Sequence, residues 1–312
     1  MNTSSSAPLH IDATSRVRAA GERAVVLGGG GSTGNAWLIG VAAGLFDAGL
    51  DVTTADLTVG TSAGSTAAAQ LAGATPTELL AAILAAAPQQ RTGPVGTERG
   101  HVPIRPVADH LTRINKIIAS AEDAPDMRRR MGAAALDMDA ASDGSWQTQW
   151  RATVASRLPG QRWPQRTVLI TAVDADTGEP VGFDRDSGVD LADAVAASCA
   201  SGLPYRIGDS RYIDGGYRRN ENADLATGYA RVLVLSPFGG RSLQPPEWGM
   251  QLAAQVDELR ARGSRVETIF PDSNSEHLFG ANAMDLSLRP PAARAGYEQG
   301  RARAEQLTEL WC

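Results

Sequence analysis

Three short stretches hold the residues whose types and spacing could do chemistry. In "LTVGTSAGST" (57–66), Ser62 sits between Gly60 and Gly64 in a Gly-x-Ser-x-Gly frame, directly after an apolar run. A serine on a sharp strand-to-helix turn tolerates only small neighbours, since bulk would clash with the flanking elements, and Thr61, Ala63 and Gly64 comply. This is the pattern of an exposed nucleophile, or else a packing turn in an alanine-rich segment. Ser65 falls inside the helix that follows and is the weaker choice. In "GGGGSTG" (28–34), glycines after a strand and before a helix aim several N–H groups at one spot, at the positive end of the helix dipole. That cradle suits an oxyanion or a phosphate; read through Gly29, Gly31 and Gly34 it also fits a dinucleotide fingerprint, or it is a structural turn. In "YIDGGYRRNENADL" (212–225), Asp214 precedes Gly215 and Gly216, which gives a carboxylate at a strand end or a plain Asp-Gly turn.

A nucleophilic serine needs a base, and the chain has four histidines. His10 lies near the N-terminus, and His101 and His110 lie in or beside a loop with no acidic partner at a telling spacing. The order Ser62, Asp214, His277 is that of an α/β-hydrolase triad. Against it, that fold places its nucleophile after several strands, whereas Ser62 follows the second. "SNSEHLFGANAMD" around His277 is polar and reads as a solvated loop.

The elements that must position these residues follow from the hydrophobic periodicity. "RAVVL" (23–27), "LTVG" (57–60), "TVLITAVD" within 167–178, "ARVLVLSP" (230–237) and "RVETIF" (265–270) read as strands, with "PVGFD" (180–184) pairing beside the third. Helices are expected over 35–49, 63–73, 76 to about 87, 106–120, 125–137, 144–157, 190–200, 247–262 and 291–310. Thr75, Pro76 and Glu78 form a capping box. Alternation of this kind implies an α/β fold, a mostly parallel sheet with helices on both faces. At 312 residues no boundary is sharp enough to split a domain, so residues 21–312 read as one domain behind a loose polar tail, 1–20. A formal net charge of -6 gives no basic footprint for nucleic acid. Two cysteines, Cys199 and Cys312, make no disulfide framework, and no signal peptide or membrane span is read; a cytoplasmic protein is expected.

Taken together, "GGGGSTG", "GTSAG" and "DGG" resemble the patatin-like phospholipases, in the expected order and on the expected elements. "AASCASGLPYRI" resembles the serine-and-proline stretch that precedes that family's aspartate. The resemblance covers about 23–237; the middle helices and the C-terminal third match only in general character. It implies a three-layer α/β/α fold and a serine acyl hydrolase of lipid or lipid-like esters. Its dyad would be Ser62 with Asp214 as base, supported by Gly60, Gly64, Gly215 and Gly216. The oxyanion hole would be drawn from Gly29, Gly30, Gly31, Ser32 and Gly34, with N–H groups around Gly30, Gly31 and Ser32 facing the acyl oxygen. The chain departs from the family at Thr33, where Arg or Lys is usual, which puts in doubt any head-group preference that leans on that cation.

The chemistry is demanding. A carboxylate of pKa near 4 is a weak base toward a serine hydroxyl, so the aspartate must be desolvated and the oxyanion strongly held. One good oxyanion donor contributes roughly 3–4 kcal/mol. An acyltransferase or thioesterase would use the same acyl-Ser62. A nicotinamide oxidoreductase fits less well: four residues before the single lysine, Lys116, stands Thr112 rather than tyrosine. A non-catalytic acyl-binding relative would not need both Ser62 and Asp214. No metal or organic cofactor is expected. The partners expected are the lipid substrate and a membrane surface contacted peripherally. Residues 88–130 are the expected cover of an acyl groove, through the loop bearing Arg91, Arg99 and Arg105 and the stripe Val107, Leu111, Ile114, Ile117 and Ile118; ordinary core packing is the equal alternative.

Overall fold

The computed structural model describes residues 21–86 and 107–311. The tail, His10, His101, the loop with Arg91, Arg99 and Arg105, and Cys312 lie outside the described residues, as does the side chain of Val107.

Five strands form the parallel part of the sheet. They are β1 (Arg23–Leu27), β2 (Leu57–Gly60), β3 (Thr167–Asp174), β7 (Arg231–Leu235) and β8 (Arg265–Ile269), in the order β3-β2-β1-β7-β8. Both faces of these strands are buried, which explains their near-continuous apolar sequence. Val25 and Leu27 enter one core while Ala24 and Val26 enter another on the opposite face. β4 (Pro180–Phe183), β5 (Tyr205–Ile207) and β6 (Ser210–Asp214) are antiparallel additions around β3.

β3 carries the topological feature that builds the site. Ile170 is opposite Gly60 of β2 and Phe183 of β4, while Ala172 is opposite Val181 of β4 and Asp214 of β6. β4 therefore holds one edge of β3, and β2 and β6 share the other in succession. β2 runs up to Gly60 and β6 runs down to Asp214, so the two strand ends meet head to head with only Thr171 between their registers.

On the first face lie α1 (Gly31–Asp47), α2 (Ala63–Gly73), α3 (Pro76–Ala85), α6 (Ser145–Ser156), α7 (Leu191–Ser198) and α9 (Arg289–Trp311). On the second lie α8 (Leu252–Ala261), over β1, β7 and β8, and α4 (Val107–Ser120) with α5 (Ala124–Ala140), over β3 and β6. The three-layer α/β/α arrangement with a mostly parallel sheet is as expected.

Most boundaries match the periodicity, and three differences have local causes. α1 starts at Gly31 rather than Asn35, because Gly31 at φ 65 turns the chain straight from the loop into the helix. The segment 247–262 is a 3-10 turn at Pro246–Trp248 and then α8, interrupted by Gly249 at φ 62. α9 begins two residues early, at Arg289, since Pro290 and Pro291 fit a first helical turn that lacks N–H acceptors anyway. The Thr75–Glu78 capping box is present in full.

α1 and α9 approach backbone to backbone. A Cβ at Gly40 would stand 2.1 Å from the Ala293 carbonyl oxygen, and one at Gly44 2.1 Å from that of Tyr297. Gly296 and Gly300 face the Trp37 and Val41 carbonyls in the same way, at 2.4 Å each. Among the described residues no single helix is long and apolar enough to cross a membrane; the apolar pair α2–α3 is bent by 117°.

Candidate active site

Ser62 ends the turn between β2 and α2. It is one of two non-glycine residues with positive φ among those described, at φ 52 and ψ -115. A serine at the N-cap of a helix ordinarily turns its hydroxyl onto the free N–H groups of the first turn. Ser62 does not: its Oγ donates to Asp214 Oδ2 at 2.8 Å, and its backbone N–H donates to Ser198 Oγ at 2.9 Å. The turn closes so tightly because Gly64 lies against β1, where a Cβ would stand 1.8 Å from the Leu27 carbonyl oxygen. Beneath it, Ser65 Oγ and Cys199 Sγ both donate to the Ser62 carbonyl, at 2.6 and 3.1 Å. Burial, reinforced by the neighbouring Asp214, pushes the Cys199 thiol up to about 11, so it stays protonated and is no competing nucleophile.

Asp214 terminates β6 and is 7% exposed. Its Oδ1 accepts the Gly216 N–H at 2.8 Å, and its Oδ2 accepts the Ser62 hydroxyl. Burial raises its pKa from 3.8 to about 6, and the two hydrogen bonds offset only part of that rise. That is the direction that makes a carboxylate a better base. Gly215 permits the approach to β3, since a Cβ there would lie 2.3 Å from Thr171 Oγ1.

Behind the pair stands Asn222, fully buried and left-handed at φ 57. The two N–H groups of its Nδ2 are shared among the carbonyls of Arg219 (2.7 Å) and Gly215 (3.2 Å) and the hydroxyls of Thr61 (3.0 Å) and Thr171 (3.3 Å). One amide thus ties the residue before Ser62, the residue after Asp214 and the strand between them.

The glycine loop lies beside Ser62: a Cβ at Gly29 would stand 3.6 Å from Ser62 Cβ. Two of the five residues expected to supply the oxyanion hole have their amides engaged. Gly29 N–H donates to the Asn220 carbonyl and Gly34 N–H to the Gly30 carbonyl, each at 3.0 Å. The physical reason is that the loop must itself be held, and α1 already begins at Gly31. Thr33 N–H is likewise taken, by the Ala283 carbonyl at 3.0 Å. No acceptor among the described residues is paired with the N–H of Gly30, Gly31 or Ser32. Asn220 also reaches the buried carboxylate of Glu221, which accepts from its Nδ2 at 2.9 Å and from Ser236 Oγ at 2.7 Å. Burial holds the Glu221 carboxyl above its ordinary value.

His277 is exposed on a 3-10 turn, and no hydrogen bond joins it to Ser62 or Asp214. His110 contacts Arg113 instead. Ile118 is buried with Met127, Met131, Val173 and Ile213, with Ile114 and Ile117 packed partly against them, whereas Leu111 is 37% exposed. A narrow cleft between α4, α5 and the Ser201–Gly202 turn is lined by Ile114, Ile117, Met131, Met138, Ile213 and Tyr217. Its lining includes Ile213, the residue before Asp214. Sequence reasoning assigned no role to Ser198, Asn220, Asn222 or Arg289, although the first three lie inside the quoted motifs.

On this α/β/α scaffold a serine at a strained elbow is hydrogen-bonded to a buried aspartate beside a glycine loop, an arrangement that could support acyl transfer. A sequence model described as patatin-like phospholipase matches residues 25–227, and the chain belongs to that family. Family membership implies lipid acyl hydrolase activity. The sequence finds no match among curated proteins. Among solved structures, VipD from Legionella pneumophila is 14% identical at a TM-score of 0.42, over 92% of this chain and 67% of that one. The type III effector ExoU is 14% identical at 0.37, over 92% of this chain and 53% of that one, so the chain spans about half of its length.

Proposed function

We propose that the protein is a serine hydrolase of lipid or lipid-like carboxylic esters, working through an acyl-Ser62 intermediate. The observation that carries this reading is the 2.8 Å hydrogen bond from the Ser62 hydroxyl to Asp214 at a residue of positive φ. Asp214 takes the hydroxyl proton as Ser62 Oγ bonds to the acyl carbon, and the carbonyl oxygen becomes an oxyanion facing the N–H groups of Gly30, Gly31 and Ser32. Collapse breaks the ester C–O bond, and the leaving alkoxide takes the proton from Asp214. Water then loses a proton to Asp214 and attacks the acyl carbon. The second collapse releases the acid and returns the proton to Ser62 Oγ. The positive ends of α1 and α2 both support the transient charge.

We assign the acyl chain to the cleft lined by Ile114, Ile117, Met138 and Tyr217, whose lining includes Ile213, the residue before Asp214. Met284 and Leu286, 61% and 44% exposed, lie between Ala283 and Arg289, which bond to the glycine loop, and support peripheral contact with a lipid surface. The test is labelling with a fluorophosphonate, followed by mass mapping. Label on Ser62, lost together with ester hydrolysis in a folded Ser62→Ala variant, is the expected result. Label on Ser65 or elsewhere, or hydrolysis that persists in Ser62→Ala, would sink the assignment.

A further inference from the structure

The oxyanion loop is held from outside by a segment that the family match does not include. Residues 25–227 are matched, yet the peptide joining Ser32 and Thr33 is gripped at both ends by residues 283 and 289. Its N–H donates to the Ala283 carbonyl at 3.0 Å. Its carbonyl accepts Arg289 Nη1 at 2.7 Å, and the same nitrogen donates to Ser32 Oγ at 3.1 Å. Arg289 Nη2 donates to Asn35 Oδ1 at 3.1 Å, one turn further along α1. Ala283 also closes the loop sterically, since a Cβ at Gly31 would lie 2.7 Å from its carbonyl oxygen.

Arg289 stands where electrostatics disfavours a cation. It is the first residue of α9, and its guanidinium bonds to the first turn of α1, so two helix N-termini bring their positive ends to it. The other charge that acts on it is again a cation, Arg157, and no carboxylate pairs with it among the described residues. Burial and Arg157 together lower its pKa to about 10, which still leaves it charged at neutral pH. No other cation among the described residues bonds to the loop, and Thr33 is fully buried and neutral. A mostly buried, unneutralised guanidinium among positive dipoles costs stability, and the fold gains nothing from its charge that a neutral donor would not supply. A developing anion beside the loop would use that charge.

We propose that Arg289 is the positioning residue of the oxyanion loop. It holds the Ser32–Thr33 peptide by its carbonyl, so that the N–H groups of Gly30, Gly31 and Ser32 stay aimed at the acyl oxygen, and its uncompensated charge stabilises the oxyanion. This rests on the hydrolase reading above. It predicts a loss in kcat rather than in KM, because the charge it serves exists only in the transition state.

The experiment compares the parent chain with Arg289→Gln, Arg289→Ala and Arg289→Lys on a neutral short-chain nitrophenyl ester, with the thermal midpoint of each variant. Arg289→Gln is expected to lower kcat by about 10- to 100-fold, less than loss of a direct oxyanion donor, with KM within about threefold. The fluorophosphonate labelling rate should fall in parallel, since phosphonylation of Ser62 builds the same oxyanion charge. Arg289→Lys should recover part of the loss, and guanidinium ions at millimolar concentration should recover part of the activity of Arg289→Ala. A kcat for Arg289→Gln within about twofold of the parent overturns the proposal. So does a loss that neither lysine nor guanidinium relieves, which would make Arg289 a packing residue. A parent chain that neither hydrolyses the ester nor labels at Ser62 would instead overturn the hydrolase reading, and this proposal with it.

Discussion

The role proposed for Asp214 comes at a cost to the fold. In the unfolded chain its carboxyl keeps its ordinary value of 3.8, and in the folded chain burial moves it to about 6. The folded state therefore binds that proton more tightly than the unfolded state. Stability owed to this group is fully present below about pH 4, is lost as pH rises from there through 6, and is absent above. Asp214→Asn removes the penalty of burying a carboxylate, so at pH 8 it should stabilise the protein, by an amount on the order of 1–3 kcal/mol, and by nothing at pH 4. The same substitution should lower kcat by several orders of magnitude, whereas His277→Ala should leave it within about twofold. Chemical denaturation at the two pH values, paired with kinetics, reads both effects. If His277→Ala were as damaging as Asp214→Asn, the dyad would be wrong. In the parent chain kcat/KM should rise with pH along a limb of apparent pKa near 6, the value of the proposed base in the free protein.

At the scale of elements, the site is the meeting of β2 and β6 on one edge of β3, locked by the Asn222 amide. Asn222→Gly preserves the left-handed backbone, which glycine adopts freely, and removes only the side chain. It leaves the Arg219 carbonyl without its donor, while the Gly215 carbonyl keeps the Arg218 N–H, and it loosens Thr61 and Thr171, so a destabilisation of about 1–2 kcal/mol is expected, together with a fall in kcat. A variant as stable and as active as the parent would show that strand pairing alone sets the register of Ser62 and Asp214. The α4–α5 layer makes a separate prediction. Met138→Trp or Ile117→Trp narrows the cleft and should shift ester preference toward shorter acyl chains while a two- to four-carbon ester is still cleaved. Equal loss on short and long esters would mean that this stripe only packs the core.

For the whole molecule, the long-range link is α1 against α9. The loop beside Ser62 opens into α1, and α1 is seated on the C-terminal helix through Gly40, Gly44, Gly296 and Gly300. Any side chain at these positions drives one backbone from another, and no rotamer relieves it. Gly44→Val should therefore destabilise by more than about 3 kcal/mol or prevent folding, as overpacking against rigid backbone does. The milder Gly300→Ala should lower the thermal midpoint and the labelling rate of Ser62 together, since the glycine loop moves with the end of α1. Loss of stability without any change in that rate would uncouple the helix pair from the site.

The local backbone was legible in the sequence because it depends on near neighbours. A serine between Gly60 and Gly64 after "LTV", glycines between a strand and a helix, and the Thr75–Glu78 cap each declare their backbone within a few residues. The strand–helix alternation likewise fixed the parallel sheet, since a strand buried on both faces has an unmistakably apolar run. Distances across the chain were another matter. Nothing in the spacing says that β3 exchanges β2 for β6 at Thr171, or that Gly29 and Gly34 use their amides to hold the loop. Nor does it say that the guanidinium bound to Ser32 comes from 257 residues away. These are decided by which strand ends share an edge and which helices lie close enough to touch, and periodicity reports the face an element buries but not the partner it buries it against.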